Sequence, residues 1–234
     1  RYGTVTGVQT CALPIWNRML GDRLSNLISF ESLKLTAAAL LLSPYIPMLF
    51  MGEEYGEKAP FLYFVSHGDP DLIEAVRKGR KAEFTAFHEV DGKEAPDPQA
   101  EETFKQSQLN WDKRKTGEHE KLWLFHQKLL QMRKNVPALR NLDRNQLEAK
   151  VVEPEKILRI QRHHQDSQIL CWLNFSSETV KITDNNKSGT WKKILDSSEP
   201  TWGGKGSQLP EKLDGASNYE LNINPYSVVV YSNQ

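Results

Sequence analysis

The chain has 234 residues, 38% of them hydrophobic, with 30 Lys plus Arg balanced by 30 Asp plus Glu and only two cysteines. That is enough chain and apolar content for one large or two smaller domains with a core, and the cancelled charge leaves no field to draw the protein to nucleic acid or anionic lipid, so neither partner is expected. No apolar run approaches the roughly 20 residues of a bilayer span, and Cys11 and Cys171 provide neither a disulfide framework nor metal-ligand spacing, so a reducing cytoplasm is the expected location.

The chain opens on Arg1, not Met, and residues 1–15, RYGTVTGVQTCALPI, have no helical or strand period. They resemble the translated read-through of a sequencing adapter. Residues 1–16 are therefore read as a non-native leader, with a natural tail as the alternative, and the parent chain is expected to continue upstream in another way. After a turn-like Gly-Asp-Arg at 21–23, residues 29–42 predict a helix with Ser29 as N-cap and Glu31 in its first turn. Its apolar residues run nearly all round, which predicts burial on most sides; Ser43-Pro44 ends it.

The run Ile46-Pro47-Met48-Leu49-Phe50-Met51 lacks polar alternation and stops at Gly52, the pattern of a parallel strand buried on both faces. Glu53 and Glu54 follow directly, where α/β barrels collect their chemistry. Loop solvation or an ion pair is the competing role for each, and adjacent residues seldom share one orientation. Asp69 and Pro70 begin a second helix with Leu72, Ile73 and Val76 as its apolar face, and the basic run at 77–81 reads as its solvated end. Residues 88–100 read as a loop. Thr116 begins a third helix with Leu122, Phe125, Leu129 and Leu130 on one face.

From Leu147 the pattern becomes short β-rich runs at 147–152, 157–162, 169–175, 180–183, 191–195, 219–223 and 228–231. Turn clusters such as Asp184-Asn185-Asn186 and Gly203-Gly204 separate them, which predicts an antiparallel β-sandwich of about seven strands. Six histidines are scattered without metal spacing, with His163-His164 at a probable strand end, and no glycine-rich loop opens a helix, so no metal, nucleotide or other cofactor is expected. Trp172 and Trp191 read as core residues. Trp202, beside glycines, is the candidate platform for stacking a sugar ring, against packing within its own loop.

The strings NRMLGDRLS at 17–25, SPYIPMLFMGEEYGE at 43–57, FLYFVSHGDPDLIEAVRKGRKAEF at 61–84 and SQLNW at 107–111 resemble the last part of the barrel of malto-oligosyltrehalose trehalohydrolases. LCWLNFS near Cys171 and the terminal NPYSVVVY are similar to the all-β domain that follows the barrel across the α-amylase superfamily. The resemblance implies that residues 17–140 are the C-terminal portion of a (β/α)8 barrel and residues 141–234 a β-sandwich domain. It also implies hydrolysis of the α-1,4 bond next to the trehalose end of maltooligosyl trehalose by a retaining two-carboxylate mechanism, with that or a related α-glucan as the partner.

In this family an Asn-His-Asp-Gln motif shortly precedes Gly-Asn-Arg. Here Asn17 and Arg18 match the last two residues, Trp16 stands in place of the Gly, and the acidic motif is absent. The resemblance therefore transfers no catalytic role. It marks Asn17, Arg18, Glu53, Glu54 and Tyr55 as substrate-binding candidates and implies that the chain by itself is inactive. Two alternatives stay open: a glycogen branching enzyme, with the same barrel and β domain, and a non-catalytic carbohydrate-binding or structural module. With one or two of eight βα units present, 36–42 and 46–51 are expected to be uncovered and aggregation-prone, while the sandwich is expected to fold by itself.

Overall fold

The computed structural model describes residues 18–83, 94–184, 189–215 and 217–233. The leader expected at 1–16, Asn17, the first part of the loop at 88–100, and Asn185 and Asn186 of the turn cluster lie outside the described residues. Two compact units result: one of residues up to Leu27 with Glu57–Trp111, the other of Ile28–Gly56 with Asp112–Gln234. No helix among the described residues is long and apolar enough to cross a membrane.

Among the described residues the first unit carries three helices, α1 (Leu24–Leu27), α3 (Pro70–Glu83) and α4 (Glu101–Gln106), joined by extended chain. Backbone bonds tie that chain together: Phe61 N donates to Gly21 O at 2.8 Å and Val65 N to Pro98 O at 2.8 Å. Phe61, Phe64 and Phe104 form an edge-to-face chain with centroids 6.1 and 5.2 Å apart. Asp69 caps α3 as expected, its Oδ1 accepting from Asp71 N at 2.9 Å. The expected apolar face of α3 is not buried: none of its 14 residues is, and Leu72 is exposed. Its basic end is more engaged than a merely solvated one, since Arg77 donates to both carboxylate oxygens of Asp97, at 3.0 and 2.8 Å, and to Glu74.

The second unit is built on a six-stranded antiparallel sheet in the order β1-β2-β3-β8-β5-β6, with a two-stranded sheet β4-β7 beside it. The strands are β1 (Leu147–Val152), β2 (Ile157–His164), β3 (Ser167–Asn174), β4 (Val180–Asp184), β5 (Thr190–Asp196), β6 (Lys212–Asp214), β7 (Tyr219–Ile223) and β8 (Val228–Asn233). Seven match the sequence reading. β6 is the addition, a three-residue strand too short to leave a period in sequence.

Because side chains alternate across a strand, β3 and β8 feed two cores at once. Ile169, Cys171, Leu173, Val228 and Val230 face one core, and Leu170, Trp172, Val229 and Tyr231 the other. The second core is closed by Val180, Ile182, Leu221 and Ile223 of the small sheet, which makes the sandwich. The first is closed by helices α2 (Phe30–Leu42), α5 (Gly117–Asn135) and α6 (Pro137–Arg140) through Leu35, Ala38, Leu41, Phe125, Leu129 and Leu139. The class matches expectation in that an antiparallel β-sandwich follows a helical part.

Three expectations change. Residues 36–42 are not uncovered: the sheet and α5 bury Ala37, Ala38, Leu41 and Leu42. Residues 46–51 form no strand, because a parallel strand needs hydrogen-bonded neighbours and none among the described residues pairs with them; Ile46 is 83% and Met48 53% exposed. Leu130, placed on the apolar face of α5, is exposed, and His126 is buried instead.

Helix α2 starts at Ser29, whose Oγ accepts from Ser32 N at 3.2 Å. Its end has no glycine cap. Two arginines take that role: Arg133 donates to Leu41 O, Ser43 O and Tyr45 O, and Arg162 to Leu42 O and Ser43 O and also to Leu139 O and Asn141 O. Arg162 is 1% exposed, and burial followed by the nearby Arg133 charge lowers its pKa to about 10. Lys34, also fully buried, donates to Ser197 O at 2.6 Å and Trp202 O at 3.2 Å, fastening α2 to the loop after β5.

Candidate functional site

The acidic string after residues 46–51 folds as a single 3-10 turn, Glu53–Tyr55, between Gly52 at φ 88° and Gly56 at φ 71°. Both flanking residues are in the left-handed region, which a glycine enters without the Cβ penalty of other residues, so Gly-Glu-Glu-Tyr-Gly is the sequence form of a one-turn helix with a bend at each end. Glu53 N donates to Phe50 O and Gly56 N to Glu53 O, both at 3.0 Å. A helix of three residues per turn sends neighbouring side chains about 120° apart, so Glu53 and Glu54 diverge and do not act as a carboxylate pair.

Both glutamates are half-buried, whereas Tyr55 is 0% exposed. Tyr55 was expected in a substrate pocket; its ring is inside the fold and offers no face to a sugar. It packs edge-on against His119 at 6.4 Å, and the Tyr55 carbonyl lies 2.8 Å from His119 Nδ1. A carbonyl only accepts, so Nδ1 carries the proton. About two helical turns further along α5, His126 is buried with Nδ1 3.0 Å from Leu122 O. Burial lowers its pKa, with the Leu122 carbonyl and the Glu54 charge acting in the opposite direction.

Arg18 belongs to the first unit. Its guanidinium is half exposed and donates from Nε to Asp22 Oδ2 at 3.1 Å. Asn17 is outside the described residues. The structure thus brings Glu53, Glu54 and Tyr55 together on one turn and leaves Arg18 to be described with its own unit.

The same sequence string also supplies Glu57, buried in the first unit, where its carboxylate accepts from the backbone N–H groups of Lys58, Ala59 and Asn110 at 2.7, 2.9 and 2.6 Å. Sequence reasoning assigned no role to Glu57 or His119. The glycine framing separates Glu57 from the Glu53–Tyr55 turn, and nothing in the local pattern marks His119.

Trp202 is not an exposed platform. It is half-buried, packs edge-on against Phe125 at 5.6 Å, and its indole nitrogen has no hydrogen-bond partner among the described residues. Trp172 and Trp191 are core residues, as read. A groove of about 420 Å³ lies along the C-terminal half of α5 and strands β5 and β8, with Lys128, Gln131, Asn135 and Lys192 among its lining residues. It includes none of the candidate residues and no aromatic ring. Among the described residues no group of three or more His, Cys, Asp or Glu side chains is placed to hold a metal ion.

Residues 152–234 match the α-amylase C-terminal all-β domain. A malto-oligosyltrehalose trehalohydrolase from Brevibacterium helvolum is 35% identical over 196 residues, 84% of this chain and 32% of that protein. One from Saccharolobus solfataricus is 50% identical over 97 residues, 42% of this chain and 16% of that protein. A crystal structure of a Salmonella typhimurium protein assigned as an α-amylase superposes with a TM-score of 0.71 at 32% identity, covering 95% of this chain and 34% of the other. The chain thus spans about a third of the length of the Brevibacterium relative.

Proposed function

We propose, from the premise that this chain belongs to the malto-oligosyltrehalose trehalohydrolase family as its C-terminal part, that the whole protein cleaves the α-1,4 bond next to the trehalose end of maltooligosyl trehalose and releases trehalose. The observation that carries this reading is the 50% identity to a trehalohydrolase over 97 residues. Retaining hydrolysis uses a nucleophilic carboxylate and an acid/base carboxyl about 5 Å apart, the first forming a glycosyl-enzyme that water then opens. The divergent Glu53 and Glu54 do not make such a pair. Their role in this reading is to hold sugar hydroxyls by hydrogen bonds, with Arg18 and Asn17 as further binding residues and residues 17–140 as barrel. The reacting carboxylates then lie outside the described residues, and the 234-residue chain alone is inactive.

A reducing, cytoplasmic setting fits the buried Cys171, whose thiol burial pushes up to about 12, far from reactive thiolate. The deciding experiment is chromatographic assay of trehalose release from maltooligosyl trehalose, by the purified chain and by the whole protein. Release by the whole protein and none by the chain is the expected result; release by the chain overturns the assignment of catalytic groups. A branched product, read by iodine staining, would establish the branching-enzyme alternative. Retardation of the chain in a glycogen gel would instead favour a carbohydrate-binding module.

A further inference from the structure

We infer that His119 is a positioning residue for the substrate-binding turn Glu53–Tyr55, an inference that rests on the function proposed above. The turn has a left-handed glycine at each end, Gly52 at φ 88° and Gly56 at φ 71°, and the Glu53 N to Phe50 O and Gly56 N to Glu53 O bonds bound it. Glycine-flanked single turns have little conformational restraint of their own. The orientation of Glu53 and Glu54 therefore depends on what grips the turn from outside.

His119 provides that grip at two points. Its Nδ1–H donates to the Tyr55 carbonyl at 2.8 Å, satisfying an acceptor at the end of the turn, and its ring meets the buried Tyr55 ring edge-on at 6.4 Å. The imidazole stands at the start of α5, which Leu122, Phe125 and Leu129 anchor in the core. His119 thus transmits the rigidity of a packed helix to a turn that carries two half-buried carboxylates, and it does so without touching a sugar itself. Tyr55 shares this supporting role.

The test uses His119→Ala and His119→Asn, the asparagine placing an amide N–H near the position of Nδ1. In the 234-residue chain, hydrogen exchange of peptides covering residues 52–57 is expected to quicken roughly 10-fold in H119A, about the worth of one hydrogen bond. Exchange should be restored in H119N, with the melting temperature of both variants close to that of the parent. In the whole protein, KM for maltooligosyl trehalose is expected to rise roughly 10-fold in H119A with a smaller change in kcat, and to recover in H119N. Unchanged exchange, an unchanged KM, or equal loss of melting temperature in both variants overturns the inference. If the whole protein releases no trehalose, the functional reading fails, and the exchange experiment still decides whether His119 holds the turn.

Discussion

Helix α2 and residues 46–51 are separated by only Ser43, Pro44 and Tyr45 and are of similar apolar character, yet Leu41 is 0% exposed and Ile46 83%. The difference lies in backbone bonding before it lies in burial. A helix satisfies its own N–H and C=O groups and needs only an apolar surface to pack on, which the β3 and β8 face and α5 provide. An extended run must find neighbouring strands for its backbone before its side chains can be buried, and no strand among the described residues pairs with 46–51. Ends matter as well: the last carbonyls of α2 are gathered by Arg133 and Arg162.

Substitutions in and around either segment test this contrast. The largest effect is expected from Arg162→Met, which strips buried carbonyls of α2 and α6 of their donor; urea unfolding of the second unit should show a loss of about 4 kcal/mol. A loss under about 1 kcal/mol would mean that the arginine clamp contributes little and that apolar packing alone closes α2. Leu41→Ala should cost about 3 kcal/mol in the same experiment, the usual range for an emptied core site.

A smaller, pH-dependent effect is expected at His126. Its pKa is lowered in the fold by burial, so below the unfolded value of about 6.5 the unfolded chain binds a proton that the folded chain resists. Stability should therefore fall as pH drops through that value, and His126→Gln should flatten this part of the profile in thermal melts taken between pH 7 and pH 5. A profile that keeps its slope in the variant would assign the acid sensitivity to other groups. Ile46→Ser is expected to change unfolding free energy by less than about 0.5 kcal/mol while lowering self-association measured by light scattering. A substantial stability loss there would show that residues 46–51 are covered in solution.

The candidate site was partly legible in the sequence. Gly52 and Gly56 around Glu53, Glu54 and Tyr55 already describe a short bounded turn, and the string GEEYGE drew attention to it. The direction of Tyr55 was not legible: a tyrosine beside two carboxylates looks the same in sequence whether its ring faces substrate or, as the structure has it, His119. That histidine is 64 positions away in the chain, and no local period links the two. Leu130, expected on the apolar face, is exposed and His126 is buried for a related reason. Both lie near the boundary of the α5 stripe, and what packs opposite decides which side is dry.

Local chemistry by itself determined the caps at Ser29 and Asp69, seven of the eight strands, the core tryptophans of the sandwich and the family resemblance, because each depends on residues within a few positions of one another. Tertiary structure alone decided which apolar segment is buried, that the sheet has a helical layer on one face and the small sheet on the other, and that buried Arg162 and Lys34 fasten α2 to the β domain. These outcomes depend on which distant backbone carbonyls and side chains meet. Lys34 reaches a carbonyl 163 positions away and Arg162 one 120 positions away, separations over which a sequence carries no period to read.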